Sequence, residues 1–282
     1  MITETHLKDC EAQVREAIDE LFNLIKKREH NLNDYIVLLA DGSYKENYIG
    51  TVQNLSPYVI DDRMGHYRDL HRREFYVTYI NQDREVYYNK LDQEKQAAFF
   101  RYCTSLEFMI YTHIWESNWF LKTLKQISNL VAGREYDWKI ESEIPDFERR
   151  EFITKEIRGV FEKENLKIVE VMKSYHSQIR NAFAHNAYNF SFPSGIGGKI
   201  YFNNYTGKNW ELKSTTYEEW HDRFALTISL AHYLLEKIRT ERTSLKDSIY
   251  EISHPSLLTG GKCRRTKIRY SVEHDSFTFV RD

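Results

Sequence analysis

Between Ser174 and Tyr188 the chain gathers the side chains whose types and spacing suit chemistry: Arg180, Asn181 and His185, with His176 before them and Tyr188 after. Read as a helix, Ile168, Met172, Tyr175, Ile179 and Phe183 share one apolar stripe, and Arg180, Asn181 and His185 point away from it. They are therefore not core residues. Arginine carries a permanent planar cation that pairs with phosphate, and histidine is the side chain whose ordinary pKa lies nearest neutrality. Together they suit cleavage of RNA without a metal. The ribose 2′-hydroxyl attacks the neighbouring phosphorus, one group moves protons, and a cation steadies the phosphate oxygens. Asn181, one turn before His185, could fix the imidazole or contact phosphate. Arg180 and His185 lie about 140° apart around an ideal helix, so one helix alone does not bring both onto one phosphate. A plainer account of the same residues is a surface ion pair and a solvated histidine.

The order Arg180-Asn181-Ala182-Phe183-Ala184-His185 resembles the motif of the HEPN superfamily, an Arg and a His separated by four to six residues. The resemblance covers residues 92–243. It implies a helical, commonly dimeric domain in which paired motifs face each other across a two-fold axis, forming a composite site. It further implies a metal-independent endoribonuclease with Arg180, Asn181 and His185 as catalytic residues, acting as a toxin or antiviral defence effector with an antitoxin or regulatory partner. The alternative is a non-catalytic HEPN module that binds RNA, nucleotide or a partner protein. Some toxins of this type carry a modifiable Tyr two residues after the His. Here Ala187 stands there and Tyr188 follows, so Tyr188 reads as a packing or RNA-stacking residue. His176, one turn before Arg180, is a further candidate for the RNA cleft.

Composition neither names nor excludes a nucleic-acid partner. Forty Lys and Arg face 42 Asp and Glu, a net charge of −2, so only local basic patches can track phosphate. Lys262, Arg264, Arg265, Lys267 and Arg269 form one such patch, a candidate RNA-binding edge or a charged edge strand that limits aggregation. His66-Tyr67-Arg68 and His71-Arg72-Arg73 beside Phe75 and Tyr76 mix basic and aromatic groups as single-strand binders do. The three cysteines are isolated, which fits a reducing cytoplasm. No membrane span, metal site or cofactor is expected. Gly195-Ile196-Gly197-Gly198 is not followed by the Lys-Ser/Thr of a phosphate loop and reads as a turn.

These residues need a helical frame. Leu7, Val14, Ile18, Leu21 and Ile25 predict a first helix over residues 4–30. Short β-type runs at residues 35–39, 48–52, 58–60 and 75–80 predict a small β-rich or irregular subregion. Asp92 caps a long helix that bends near Glu116-Ser117-Asn118 and stops at Gly133, and Gly159 is a break before the motif helix. Lys199 to Phe202 with Trp210 to Lys213 read as a hairpin, and Thr216 with Glu219 as a capping box that opens the cleanest helical stripe. The expected protein is mainly α: an N-terminal part (1–91), a HEPN-like helical bundle (92–243) with a hairpin insertion near 199–213, and a basic β-hairpin tail (244–282).

Overall fold

The structure is a computed structural model that describes residues 4–28, 30–46, 56–60, 63–82, 84–146, 148–191, 198–246, 248–255 and 263–280. For residues 4–6, 63–70, 73, 84 and 85 it describes the backbone only. The fold is mainly α with small antiparallel sheets.

Helix α1 (Glu4–Ile25) buries Leu7, Val14, Ile18, Leu21 and Ile25, as their spacing requires. Then come α2 (Asp34–Leu39), the paired two-residue strands β1 (Ser43–Tyr44) and β2 (Tyr58–Val59), α3 (Arg63–Ile80) and α4 (Arg84–Asn89). The expected β-rich subregion is thus largely helical. Tyr76 and Tyr79, three apart, are both buried, so packing of a helical face overrides the strand preference of aromatic residues. Residues 35–39, likewise read as a strand, are buried on every side within α2; a run buried all round carries no periodicity to separate helix from strand. The run at 48–52 lies outside the described residues.

The Asp92 carboxylate accepts the Lys95 N–H at 2.9 Å and starts α5 (Gln93–Glu116). After Ser117 the chain re-enters helix as α6 (Asn118–Val131) and stops at Gly133, whose φ of +67° favours glycine. Helices α7 (Ile140–Glu143) and α8 (Arg149–Glu151) lead through a π-helical stretch (Phe152–Arg158) into α9 (Gly159–Lys163). Gly159 is no break: its φ is −60°, and the chain turns instead at Asn165, φ +53°. Next are α10 (Ile168–Met172) and α11 (Ser177–Ala184), the strands β3 (Tyr188–Phe190), β4 (Lys199–Phe202) and β5 (Ser214–Thr216), then α12 (Tyr217–Ser244). Thr216 and Glu219 form the expected capping box, with bonds of 2.9 and 3.1 Å. Strands β6 (Ile249–Pro255), β7 (Cys263–Ser271) and β8 (Ser276–Phe279) close the chain as an antiparallel sheet, order β6-β7-β8.

Two compact units are interleaved in the sequence and cut across the three segments expected above. One comprises residues 1–17, 75–117 and 167–233; the other comprises 18–74, 118–166 and 234–282. In the first, Phe108 and Tyr111 of α5 pack with Trp220 of α12, which stacks on Phe224, the Phe108 and Trp220 ring centroids 4.0 Å apart. Glu107, fully buried there, accepts hydrogen bonds from Trp220 Nε1 (2.9 Å) and the Tyr79 hydroxyl (3.2 Å). In the second unit α6 is buried from Phe120 to Val131. Its Lys122 reaches Asp41 at 2.7 Å and Ser43 at 2.6 Å, so this buried cation is paired.

Candidate functional site

The motif sits on α11 of the first unit, and local bonds set both ends of that helix. The motif helix expected after Gly159 is interrupted after Met172, where Arg223 donates to the Lys173 carbonyl at 3.0 Å. The buried Tyr111 hydroxyl donates to the Ser174 carbonyl (3.0 Å) and accepts the His176 N–H (2.7 Å), holding the chain extended at His176 before α11 begins. Burial pushes the Tyr111 pKa up, so its hydroxyl keeps the proton it donates. At the other end Asn186 adopts φ +51°, the Ala187 N–H bonds the Ala182 carbonyl at 2.7 Å, and the Asn186 N–H bonds the Phe183 carbonyl at 3.1 Å. This paired closure is a Schellman motif, with Asn in the left-handed position that glycine usually fills. It ends the helix at Ala184 and makes His185 its C-cap.

Four of the five residues of the apolar stripe, Ile168, Met172, Tyr175 and Ile179, are buried despite the interruption, and Phe183 is half-buried. Arg180 lies off it, its side chain 18% exposed, with Nη1 2.8 Å from a Glu116 carboxylate oxygen. Its Nε and Nη2 donate to Asn181 Oδ1 at 3.1 and 2.7 Å. Asn181 therefore holds the guanidinium and not the imidazole, contrary to one of the two roles expected of it. An oxygen that accepts a fork of two charged donors is more strongly held than one facing a solvated ring. His185 is exposed, and its ring has no hydrogen-bond partner among the described residues. Arg180 and Asn181 thus lie midway along α11, with Glu116 from the end of α5 beside Arg180, and His185 caps the C-terminal end of the helix.

The flanking candidates are tied into the frame. A ring nitrogen of His176 is 3.0 Å from the Trp210 carbonyl. Gln178, which sequence reasoning passed over, bonds the Leu212 N–H (2.6 Å) and carbonyl (2.8 Å) through its amide, as a neighbouring strand would. With those groups engaged, Leu212 is not a ladder residue, and the strand expected at 210–213 falls at Ser214–Thr216. Tyr188 is not on the motif helix, as the spacing had suggested, because α11 has already ended. It opens β3, and its ring packs 5.1 Å from Phe108 and 5.4 Å from Phe190. Tyr188 is half-buried there.

Lys262 lies outside the described residues. Arg264, Arg265, Lys267 and Arg269 are all exposed on β7 in the second unit. That strand pairs with β6 over residues 263–269 and with β8 only over residues 268–271, so in the β7–β8 register Arg264 and Arg265 lie on a stretch laddered on one side and Arg269 on a stretch laddered on both. The run alternates along the strand: Arg265, Lys267 and Arg269 share one face while Ile268 and Tyr270 are buried on the other. Arg265 is 3.7 Å from Glu251. Of the mixed basic and aromatic run, His71 is exposed on α3 and 3.7 Å from Glu74; the side chains of 66–68 are not described.

Among the described residues no group of three or more His, Cys, Asp or Glu is placed to hold a metal ion, and no helix is long and apolar enough to cross a membrane. Comparison of the chain with family models, with curated proteins and with solved structures returns no match.

Proposed function

We propose that the protein is a metal-independent endoribonuclease of HEPN type, with His185 moving protons and Arg180 stabilising the phosphate oxygens. The observation that carries this reading is an unpartnered, exposed His185 on the same short helix as a guanidinium held in orientation by Asn181. A proton-transfer group must be reachable by the ribose, and a phosphate clamp works best when already oriented. The product is a 2′,3′-cyclic phosphate and a 5′-hydroxyl. His185 is exposed and Arg180 partly so on one short helix, and a second protomer related by a two-fold axis closes them into a cleft. A role in defence, with an antitoxin or regulatory partner, extends the same reading. The rival reading, a non-catalytic module that binds RNA, nucleotide or protein, draws on the Arg180–Glu116 ion pair, since a paired arginine also serves as a structural link.

The experiment that separates them is RNA cleavage by purified His185→Ala and Arg180→Ala proteins. Each should lose cleavage while staying folded, with a stability loss of no more than about 1 kcal/mol in Arg180→Ala, and mixing the two should restore part of the activity through heterodimers. Full activity in either folded variant rules out the catalytic assignment, and absence of complementation at concentrations where subunits exchange rules out the composite cleft.

A further inference from the structure

Between Lys199 and Lys213, just after the motif helix, three lysines and two tyrosines are exposed: Lys199, Lys208, Lys213, Tyr201 and Tyr205. None of the three lysines has a carboxylate partner among the described residues; Lys208 lies over the Trp210 ring, 5.8 Å from its centre. The one acid of the segment, Glu211, accepts from the Thr206 hydroxyl (2.9 Å) and from the N–H groups of Thr206 (2.6 Å) and Lys208 (3.3 Å). Its carboxylate is spent on folding the connection between β4 and β5, and the segment keeps a surplus of positive charge.

That connection is fixed to α11 at both ends. The Asn203 N–H donates to the Ala187 carbonyl at 2.8 Å, just past the end of the helix. Near its start, the Asn204 amide donates to the Gln178 carbonyl at 3.1 Å and accepts from the Gln178 amide at 3.3 Å. Gln178 and His185 are seven positions apart, about two turns, so the connection lies on the same side of α11 as the imidazole. On β4, Ile200 and Phe202 are buried while Lys199 and Tyr201 face outward, as alternation along a strand requires. Tyr201 is laddered to Asn189 on one side and Ser214 on the other, both uncharged. Asn189 is four residues past His185, at most about 14 Å of chain, so a base lying on Tyr201 belongs to a nucleotide near the one cut.

We propose that the outer face of the β3–β4–β5 sheet and the connection beside it dock single-stranded RNA, with Tyr201 stacking on a base and Lys199, Lys208 and Lys213 taking phosphates. The inference rests on the ribonuclease reading and adds to it the substrate class, an unpaired strand. Exposed rings accept any base that can turn its face to them, and free cations between the rings track the backbone. A duplex keeps its bases stacked inside and offers none to Tyr201. A protein partner is less suited, because Asn189, Lys199, Tyr201 and Ser214 bring no aliphatic side chain to the face and the cations beside it are unpaired.

The test is fluorescence anisotropy of a labelled single-stranded RNA, and of the same RNA annealed to its complement, with the full-length protein in a His185→Ala background so that the strand stays intact. The single strand should bind more tightly than the duplex. Tyr201→Ala should weaken it about 5- to 100-fold, the worth of one stacked base, and Tyr201→Phe less than about twofold. If Tyr201→Ala does not fold, Lys199→Gln and Lys213→Gln carry the test, each lowering the slope of log affinity against log salt by about 0.7. Absence of single-strand binding at about 100 μM protein in low salt, a duplex bound as tightly, or affinity and salt slope unchanged in the folded variants each overturns the proposal. Cleavage by protein with His185 intact is scored separately. A strand bound in this way and left uncut supports the docking surface and refutes the ribonuclease; cutting with unchanged KM in Tyr201→Ala refutes the docking surface and leaves the ribonuclease standing.

Discussion

Glu116 is the sharpest probe of what Arg180 is for. Its carboxylate lies 2.8 Å from the Arg180 guanidinium, with side-chain exposures of 41 and 18%. A phosphate that reaches Arg180 must compete with that carboxylate. Ion pairs near the surface are worth about 0.2–1 kcal/mol, and the partial burial of Arg180 puts this one in the upper half of that range. Glu116→Gln keeps the size and an oxygen acceptor but removes the competing charge. About 0.5–1 kcal/mol released to the phosphate corresponds to about a 2- to 5-fold gain in RNA affinity. The assay is fluorescence anisotropy of a labelled single-stranded RNA, read in a His185→Ala background so that the probe stays intact. Stability should fall by no more than about 1 kcal/mol, the worth of the same pair. Arg180→Ala should lower the slope of log affinity against log salt by about 0.7, the value for one phosphate contact to a single strand. A folded Glu116→Gln protein that binds RNA no better, or worse, refutes the idea that Arg180 is a phosphate ligand held in reserve by Glu116.

Two further outcomes concern the frame. Glu107→Leu leaves the Trp220 N–H and the Tyr79 hydroxyl buried without the carboxylate that now accepts from them, which should cost about 2–5 kcal/mol in urea unfolding, whereas Glu107→Gln should cost about 1 kcal/mol; equal stability of both variants contradicts this account of the core. His254 is buried with a ring nitrogen 3.3 Å from the Tyr58 carbonyl, and burial holds its pKa below the ordinary 6.5. Below about pH 6.5 the unfolded chain takes up a proton that the folded one refuses, so this group destabilises the fold as pH falls and contributes nothing above that value. Unfolding measured from about pH 7.5 down to about pH 5.5 should lose up to about 1.4 kcal/mol per pH unit in the acid part, and His254→Phe should flatten the slope. An unchanged slope contradicts it.

What could be read from the chain followed how local each signal is. The Asp92 cap, the break at Ser117, the Gly133 stop and the Thr216–Glu219 capping box each depend on residues a few positions apart, and each appears where expected. The Schellman closure at Asn186 was equally local, but an asparagine in a left-handed turn is a weaker signal than glycine, and the motif helix was read past it. Non-local pairings left no trace. Nothing in the order of residues ties Glu116 to Arg180 or Gln178 to Leu212, because those bonds exist only after α5, α11 and the β4–β5 connection pack. On helix α6 the polar Lys122, Lys125 and Gln126 are all buried and partnered, by bonds to Asp41, Glu156 and Asp137 that the order of residues does not show. The residues 75–80 looked like a strand because aromatic and β-branched side chains cluster there, and the buried pair Tyr76 and Tyr79 shows helical spacing only once the packing face is known.

The central claim is a reaction in which the substrate's own 2′-hydroxyl is the nucleophile, and one substrate tests it directly. A short RNA with a single cut site is compared with the same strand carrying one 2′-deoxy residue on the 5′ side of that site, both incubated with the protein in excess chelator. The account predicts cleavage of the first, with a 2′,3′-cyclic phosphate and a 5′-hydroxyl at the new ends, and an intact second strand. Efficient cleavage of the deoxy strand, or a 5′-phosphate at the new end, would show that water and not the ribose attacks, and would contradict the roles given to Arg180 and His185.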